Sequence, residues 1–387
     1  MPWLAISAGG IGRILSRDPG LAPDPLLGSG LGWLNPVRDT ATLPRAELSC
    51  GTLMIEADLS AAAVQAEPLL EFSYVAPVQG HFRLRLLPGG RLELVQRRGR
   101  EQRRLVLAPF CSSYPERMRI TYAWDCATGW ARLAVEHPEI AQAAQVHRLC
   151  DPFPLAASPL CTRICMPLPG SLAETVDFVA LSDRVQPLGS SAGLAAGTRI
   201  HTPHGVKPIE ALSAGDQVFL SGGETCVVQA IQRRQLPARG LFRPVRLFAP
   251  FFGLQEDLTG AGGQCMEMTG PSVEYLFLNE TVLVPLRFLV TEDLACFPAS
   301  APLVEWYQLV LPRPGRILAE GVALESYRPE APGMPAARKT PRPVTGPLAT
   351  AAKDRSPKTL RDAPAAPERI PVLRAFEARS LTSARAL

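Results

Sequence analysis

SAGLAAGTRIHTPHGVKPIEALSAGDQVFL, residues Ser191–Leu220, decides how the second half of the chain is read. Gly197 and Thr198 form an entry to a short strand-like run, Arg199–Thr202. A Thr-Pro-His-Gly turn follows, and then an Ala-Gly-Asp turn at Ala214–Asp216. Asp216 sits where a turn carboxylate accepts backbone hydrogen bonds, which is a structural role rather than a catalytic one. No thiol or hydroxyl lies at 193–196, just ahead of the Gly-Thr pair.

Downstream, the texture stays β-like to about residue 327. ETCVVQAIQRR, RPVRLFA, VEYLFL, TVLVPLRFLV and VEWYQLVL are short apolar runs parted by turns. Upstream, SDRVQPLGSSAG reads as a linker with Pro187 and Gly189. Ahead of it, from Cys50, lies another β region. In HFRLRLLPGGRLELV, Phe82, Leu84 and Leu86 alternate with His81, Arg83 and Arg85, and PGG closes a hairpin onto Leu92 and Leu94. Met118, Ile120, Tyr122 and Trp124 repeat that period, and DCATG turns the chain into Trp130, Leu133 and Val135. Several half-buried strands at this spacing predict an antiparallel sandwich.

The expected organisation is an irregular lead-in (1–49), a β-sandwich (50–183), a linker (184–192), an all-β domain (193–327) and a disordered basic tail (328–387). Ten prolines between Pro329 and Pro371 break the tail, which ends in a possible short helix around Leu373, Phe376 and Leu381. The 387-residue chain carries +4, of which residues 329–387 hold +6 and the remainder −2. The tail lacks the aromatic-interleaved basic pattern of nucleic-acid readout, so nucleic acid is not an expected partner.

At 47% hydrophobic residues and a mean hydropathy of +0.07, the chain suits a globular protein. No apolar run reaches the roughly eighteen residues that a membrane-spanning helix needs. The N-terminal twenty residues have no Lys or Arg ahead of their first apolar residues, unlike a conventional secretory signal. Nine unpatterned cysteines favour a reducing, cytoplasmic compartment, with export independent of a signal peptide left open. His147, Cys150, Cys161 and Cys165 are residue types that bind zinc, but their spacing differs between the two halves, so buried or incidental cysteines are the expectation. No cofactor is implied.

The first β domain resembles concanavalin A-like and laminin-G-like jelly rolls in texture rather than in any motif. The resemblance implies a glycan or protein ligand held by the sandwich. Trp124, Asp125 and Trp130 are the aromatic and acidic candidates, set against the reading that the Trp pair is core. The second domain resembles the bacterial branch of the Hint (hedgehog/intein) family. GTRIHTPHGVKPIEALSAGDQV, QAIQRRQLPARG, PVRL, EDLTGAGGQCMEMTGPSVEYLF, TVLVPLRFLV and VEWYQLVLPRPGRILAEGVALESY occur in family order.

That resemblance implies self-cleavage chemistry at five positions, none of which holds its usual residue. Active members carry Cys or Ser four residues before the Gly of Gly-Thr, where its attack splits one hard amide cleavage into two easier steps. Here that position is Gly193. A hydroxyl and an imidazole further on assist the breaking amide; aligned without gaps, these fall on Ala261 and Gln264. Positions often held by His and Asp fall on Gln308 and Pro312. Ser190 and Ser191 lie too far upstream to attack in their place, and Cys265 is not on the scissile residue. The expectation is therefore a scaffold without autoproteolysis. The alternatives are self-cleavage near Ala192–Gly193 and a carbohydrate-binding module.

Overall fold

A computed structural model describes residues 3–8, 11–14, 47–60, 68–108, 116–137, 144–165, 168, 172–186, 188, 192–291, 293–327 and 370–385. Most of the lead-in, Ser190 and Ser191, and the proline-rich stretch 328–369 lie outside these residues.

The first unit is a two-sheet antiparallel sandwich. One sheet has seven strands in the order Ala144–Cys150, Trp130–Glu136, Glu116–Asp125, Cys50–Leu59, Val176–Ser182, Trp3–Ala8 and Ile11–Ile14. The other has four in sequence order: Leu70–Tyr74, Gly80–Leu87, Arg91–Arg98 and Glu101–Val106. Alternation drives the packing. Leu53, Ile55, Ala57 and Leu59 from the larger sheet meet Phe82, Leu84, Leu92 and Leu94 from the smaller. An aromatic chain threads the layer, with Phe72 to Phe82 at 5.4 Å, Phe82 to Tyr122 at 5.8 Å and Tyr122 to Trp124 at 5.4 Å between ring centroids. Helix Ala157–Cys165 adds Leu160, Cys161 and Ile164 to the same core.

Two expectations are corrected here. The lead-in is not irregular throughout: Trp3–Ala8 pairs with Val176–Ser182 and with Ile11–Ile14 inside the larger sheet. That sheet is also not half-exposed, because Cys50–Leu59 and Glu116–Asp125 are buried on both faces along most of their length. The cause is the second unit, which covers the outer face.

In the second unit, six strands pair in the order Gly205–Pro208, Arg199–Thr202, Arg316–Ala319, Val322–Glu325, Cys265–Thr269 and Thr281–Pro285. A long ladder joins Ala230–Pro237 to Leu303–Val310, and Pro244–Leu247 lies between Leu258–Ala261 and Ala295–Cys296. The core includes Ile200, Ile209, Val218, Val245, Val282, Val284 and Leu324. Residues 370–385 complete it. Val372 makes a parallel bridge to Leu283, and Leu373, Ala378 and Leu381, the last two from helix Ala375–Arg385, join the same core.

The units are fastened by a third apolar cluster. Trp3, Ile6, Met54, Phe178 and Ala180 from the sandwich pack on Leu236, Phe242, Ala261 and Trp306. The Trp3 indole donates to the Gln235 carbonyl at 2.7 Å. Beside the cluster, Arg119 donates twice to Glu56 Oε1, at 3.0 and 2.8 Å, and both side chains are essentially inaccessible. The Glu56 carboxylate also accepts from the Leu241 amide at 3.1 Å, and the Arg119 guanidinium lies 4.1 Å over the Phe242 ring. Gly240, with φ of +54°, lets the backbone come that close, since a Cβ there would collide with the Glu56 carboxylate.

On the sandwich's other flank, Glu93 is buried and accepts from Arg85 Nε at 2.6 Å and Arg104 Nε at 2.8 Å. Burial acts to raise its pKa, but the bonds from Arg104 and Arg85 outweigh it and hold the carboxyl below its ordinary 4.5. A carboxyl depressed on folding contributes stability above its unfolded pKa, and loses it as pH falls through the folded one. Unfolding by denaturant at stepped pH is expected to show stability dropping below about pH 4.5. Glu93→Gln is expected to flatten part of that drop, and an unchanged pH profile would contradict the assignment.

Candidate functional site

The junction between the units is where the family chemistry would lie. Gly193 is held on both sides: its N–H donates to Gln264 Oε1 at 3.1 Å, and its carbonyl accepts from the Ala261 amide at 2.8 Å. Leu194 exchanges two 2.9 Å backbone bonds with Tyr307, and the Ala195 amide donates to the Thr259 carbonyl at 3.0 Å. Residues 193–195 are thus clamped between Leu258–Ala261 and Leu303–Val310.

The Gln264 side chain is buried and fully occupied. Its Nε2 donates to the carbonyls of Glu325 at 2.9 Å and Cys265 at 3.2 Å, while Oε1 serves Gly193. That network assigns the amide orientation. An amide can hold the Gly193 N–H, but it has no proton to transfer near neutral pH. Ala261 is fully buried in the inter-unit cluster and brings no hydroxyl.

Above Gly193 sits Trp306. A Cβ built on Gly193 would lie 2.6 Å from Trp306 Cβ and 3.1 Å from Cγ, and the glycine's φ is +154°. The clash is with the root of a buried side chain whose ring is packed between the two units, so it cannot swing aside. Position 193 therefore has neither a side chain nor space for one. Gln308 lies two residues along the same strand, buried, and neither end of its amide finds a hydrogen-bond partner among the described residues. Pro312 is not brought to this cluster; it stands exposed beyond the strand's end.

Gly193, Ala261 and Gln264 thus come together. Trp306, which closes the site, carries no signal in its own sequence position. Its neighbour Tyr307 faces the second core while Trp306 faces the sandwich, so only the packed pair of units reveals its place. Cys265 is buried, with Sγ 3.8 Å from the Gly263 carbonyl. The turn Gly260–Gly263 is taut: the Gly262 amide donates to Arg243, Gln264 to Ala261, and the Arg287 amide to the Gly262 carbonyl.

The other candidates are dispersed. Cys161 and Cys165 are buried on the sandwich helix, while Cys150 is exposed at the end of the strand that carries His147. Burial pushes the Cys161 thiol up to about 12. Among the described residues, no group of three or more His, Cys, Asp or Glu is placed to hold a metal. Trp124 is not a sugar platform: it is fully buried, stacked on Tyr122, with its indole donating to the Leu48 carbonyl at 2.9 Å. Trp130 and Asp125, paired across neighbouring strands, are only partly covered.

Among solved structures, the chain is similar to the bacterial intein-like domain of Clostridium thermocellum, at 14% identity over 35% of this chain and 98% of that one, with a TM-score of 0.25. It is similar to the MchDnaB-1 intein at 16% identity, over 35% and 99% of the two chains, with a TM-score of 0.23. A third is the CBM40 of a Ruminococcus gnavus sialidase, solved with α2,6 sialyllactose, at 13% identity over 36% and 78%, with a TM-score of 0.23. No curated protein matches the chain. The Hint domain family matches residues 192–331, which contain the whole clamped junction. Over those residues the chain carries a Hint domain.

Proposed function

We propose that this is a Hint-domain protein without autoproteolytic chemistry, in which the Hint fold serves as a rigid scaffold fastened to a β-sandwich. The observation that carries the reading is the junction itself. Gly193 has no side chain, and Trp306 occupies the space one would need. An acyl shift requires the nucleophile on the scissile residue, and removing a nucleophile and its acid–base partner together costs roughly 10³ to 10⁶ in rate. Gln264, where the family places an imidazole, supports the same reading.

The division that follows has a sandwich over 50–183 with strands added from 3–14, a linker over 184–192, and a Hint unit over 193–327 completed by 370–385. No described helix is long and apolar enough to cross a membrane. The described cysteines are all free, which supports a reducing compartment.

Intact-mass measurement on the freshly made full chain tests the proposal. The mass is expected to stay that of the whole chain through prolonged incubation with dithiothreitol or hydroxylamine. Two fragments meeting at Ala192–Gly193 would establish autoprocessing instead.

A further inference from the structure

The four-stranded sheet turns one face to its own core and the other away from it. The cross-strand register places Arg83 and Arg85, Arg91 and Arg97, and Arg104 on that outer face from three adjacent strands. Arg83 and Arg104 flank Val95 in one row, and in the next row Arg85 stands opposite Glu93. Against five guanidinium groups the face carries two carboxylates. Glu71 bonds His81 at 3.1 Å, and Glu93 is buried at 2% exposure beneath the arginines. Burial lowers the His81 pKa, with Arg83 and Arg97 acting the same way against Glu71, so His81 adds no charge at neutral pH.

Glu93 does more than neutralise. Its bonds to Arg85 and Arg104 use the Nε atoms, and these two arginines make no other hydrogen bond among the described residues. The Nη1–Nη2 edges are left available, on side chains 40% and 58% exposed. Arg91 and Arg97 have no carboxylate partner among the described residues. Clustering like charges across strands costs stability, and prepositioned guanidinium edges are the geometry that recognises oxyanions in pairs.

We infer that this arginine face binds an acidic polysaccharide, its carboxylate or sulfate groups seated on the edges of Arg85 and Arg104 with Arg83 and Arg97 adding charge. The form of the face selects that class. A flat sheet face cannot enter a DNA groove as a helix or ribbon does. It also presents no Phe, Tyr or Trp ring on which bases could stack. The inference stands apart from the junction, because it needs only the sandwich.

The test uses the full chain titrated with polygalacturonate, dextran sulfate, neutral dextran and a 20-base-pair DNA duplex, in low and moderate salt. Binding to at least one acidic polysaccharide, weakened by salt and absent with neutral dextran, is expected. Arg85→Gln with Arg104→Gln is expected to weaken it by about tenfold or more, the worth of one charge-assisted bond. Arg233→Gln, an exposed arginine on the Hint unit, is expected to leave it unchanged. Because Glu93 would lose two partners in that double variant, Arg97→Gln, which leaves Glu93 untouched, is run beside it and is expected to weaken binding at unchanged thermal stability. The inference is overturned by no binding to either acidic polymer, equal binding of neutral dextran, tighter binding of the duplex, or full affinity in both arginine variants.

Discussion

Gly193→Cys is expected to destabilise the chain by about 2–5 kcal/mol, and to yield no fragments. Two costs combine. The new Cβ meets Trp306 Cβ at 2.6 Å, and a residue with a side chain is forced to hold φ near +154°. Neither cost can be relieved locally, because the Gly193 N–H and C=O are both engaged, by Gln264 and Ala261. Adding Gln264→His and Ala261→Thr would make matters worse. Gln264 would lose its bonds to the Glu325 and Cys265 carbonyls, and a hydroxyl would enter the apolar cluster at Ala261. Denaturant unfolding with intact-mass analysis reads both parts. A Gly193→Cys chain as stable as the parent, or one that cleaves, would show that the junction retains room for a nucleophile.

Arg119→Met is expected to cost about 3–5 kcal/mol, because it leaves the Glu56 carboxyl buried without its charged partner, the Leu241 amide being its remaining donor among the described residues. The double variant Arg119→Met, Glu56→Met should recover much of that loss, since an apolar pair of similar volume needs no desolvation of charge. The two changes are in contact, so their non-additivity measures the pair itself. If the single change costs less than about 1 kcal/mol, the pair behaves like an exposed bridge and is not what fastens the units.

Much of the architecture is legible along the chain, for identifiable reasons. Alternation at Phe82, Leu84 and Leu86, and again at Met118, Ile120 and Tyr122, marks strands of both sheets, because one side-chain period settles which face is buried. Six ordered segments mark the Hint unit. Gly193, Ala261 and Gln264, singled out along the chain, lie in contact in the folded structure. What could not be read is what depends on the two units meeting. Glu56, alternating with Leu53, Ile55 and Ala57, reads as a solvent-facing charge, yet it is wholly buried because another unit lies over that face. Trp3–Ala8 reads as irregular because its partner strand lies far along the chain. Trp306 reads as one more strand aromatic, and only packing sets it against the glycine.

The seating of residues 370–385 has a consequence for the integrity of the molecule. Leu373, Ala378 and Leu381 are built into the interior of the Hint unit, and the Leu283 amide and carbonyl bond to Pro371 and Leu373. Covalent continuity through 328–369 is thus not what keeps the C-terminal segment in place. A chain nicked there would still migrate as a single particle under native conditions, parting only in denaturant. A chain ending at 327 would carry an open apolar slot, which a separate peptide of residues 370–385 has the shape to fill.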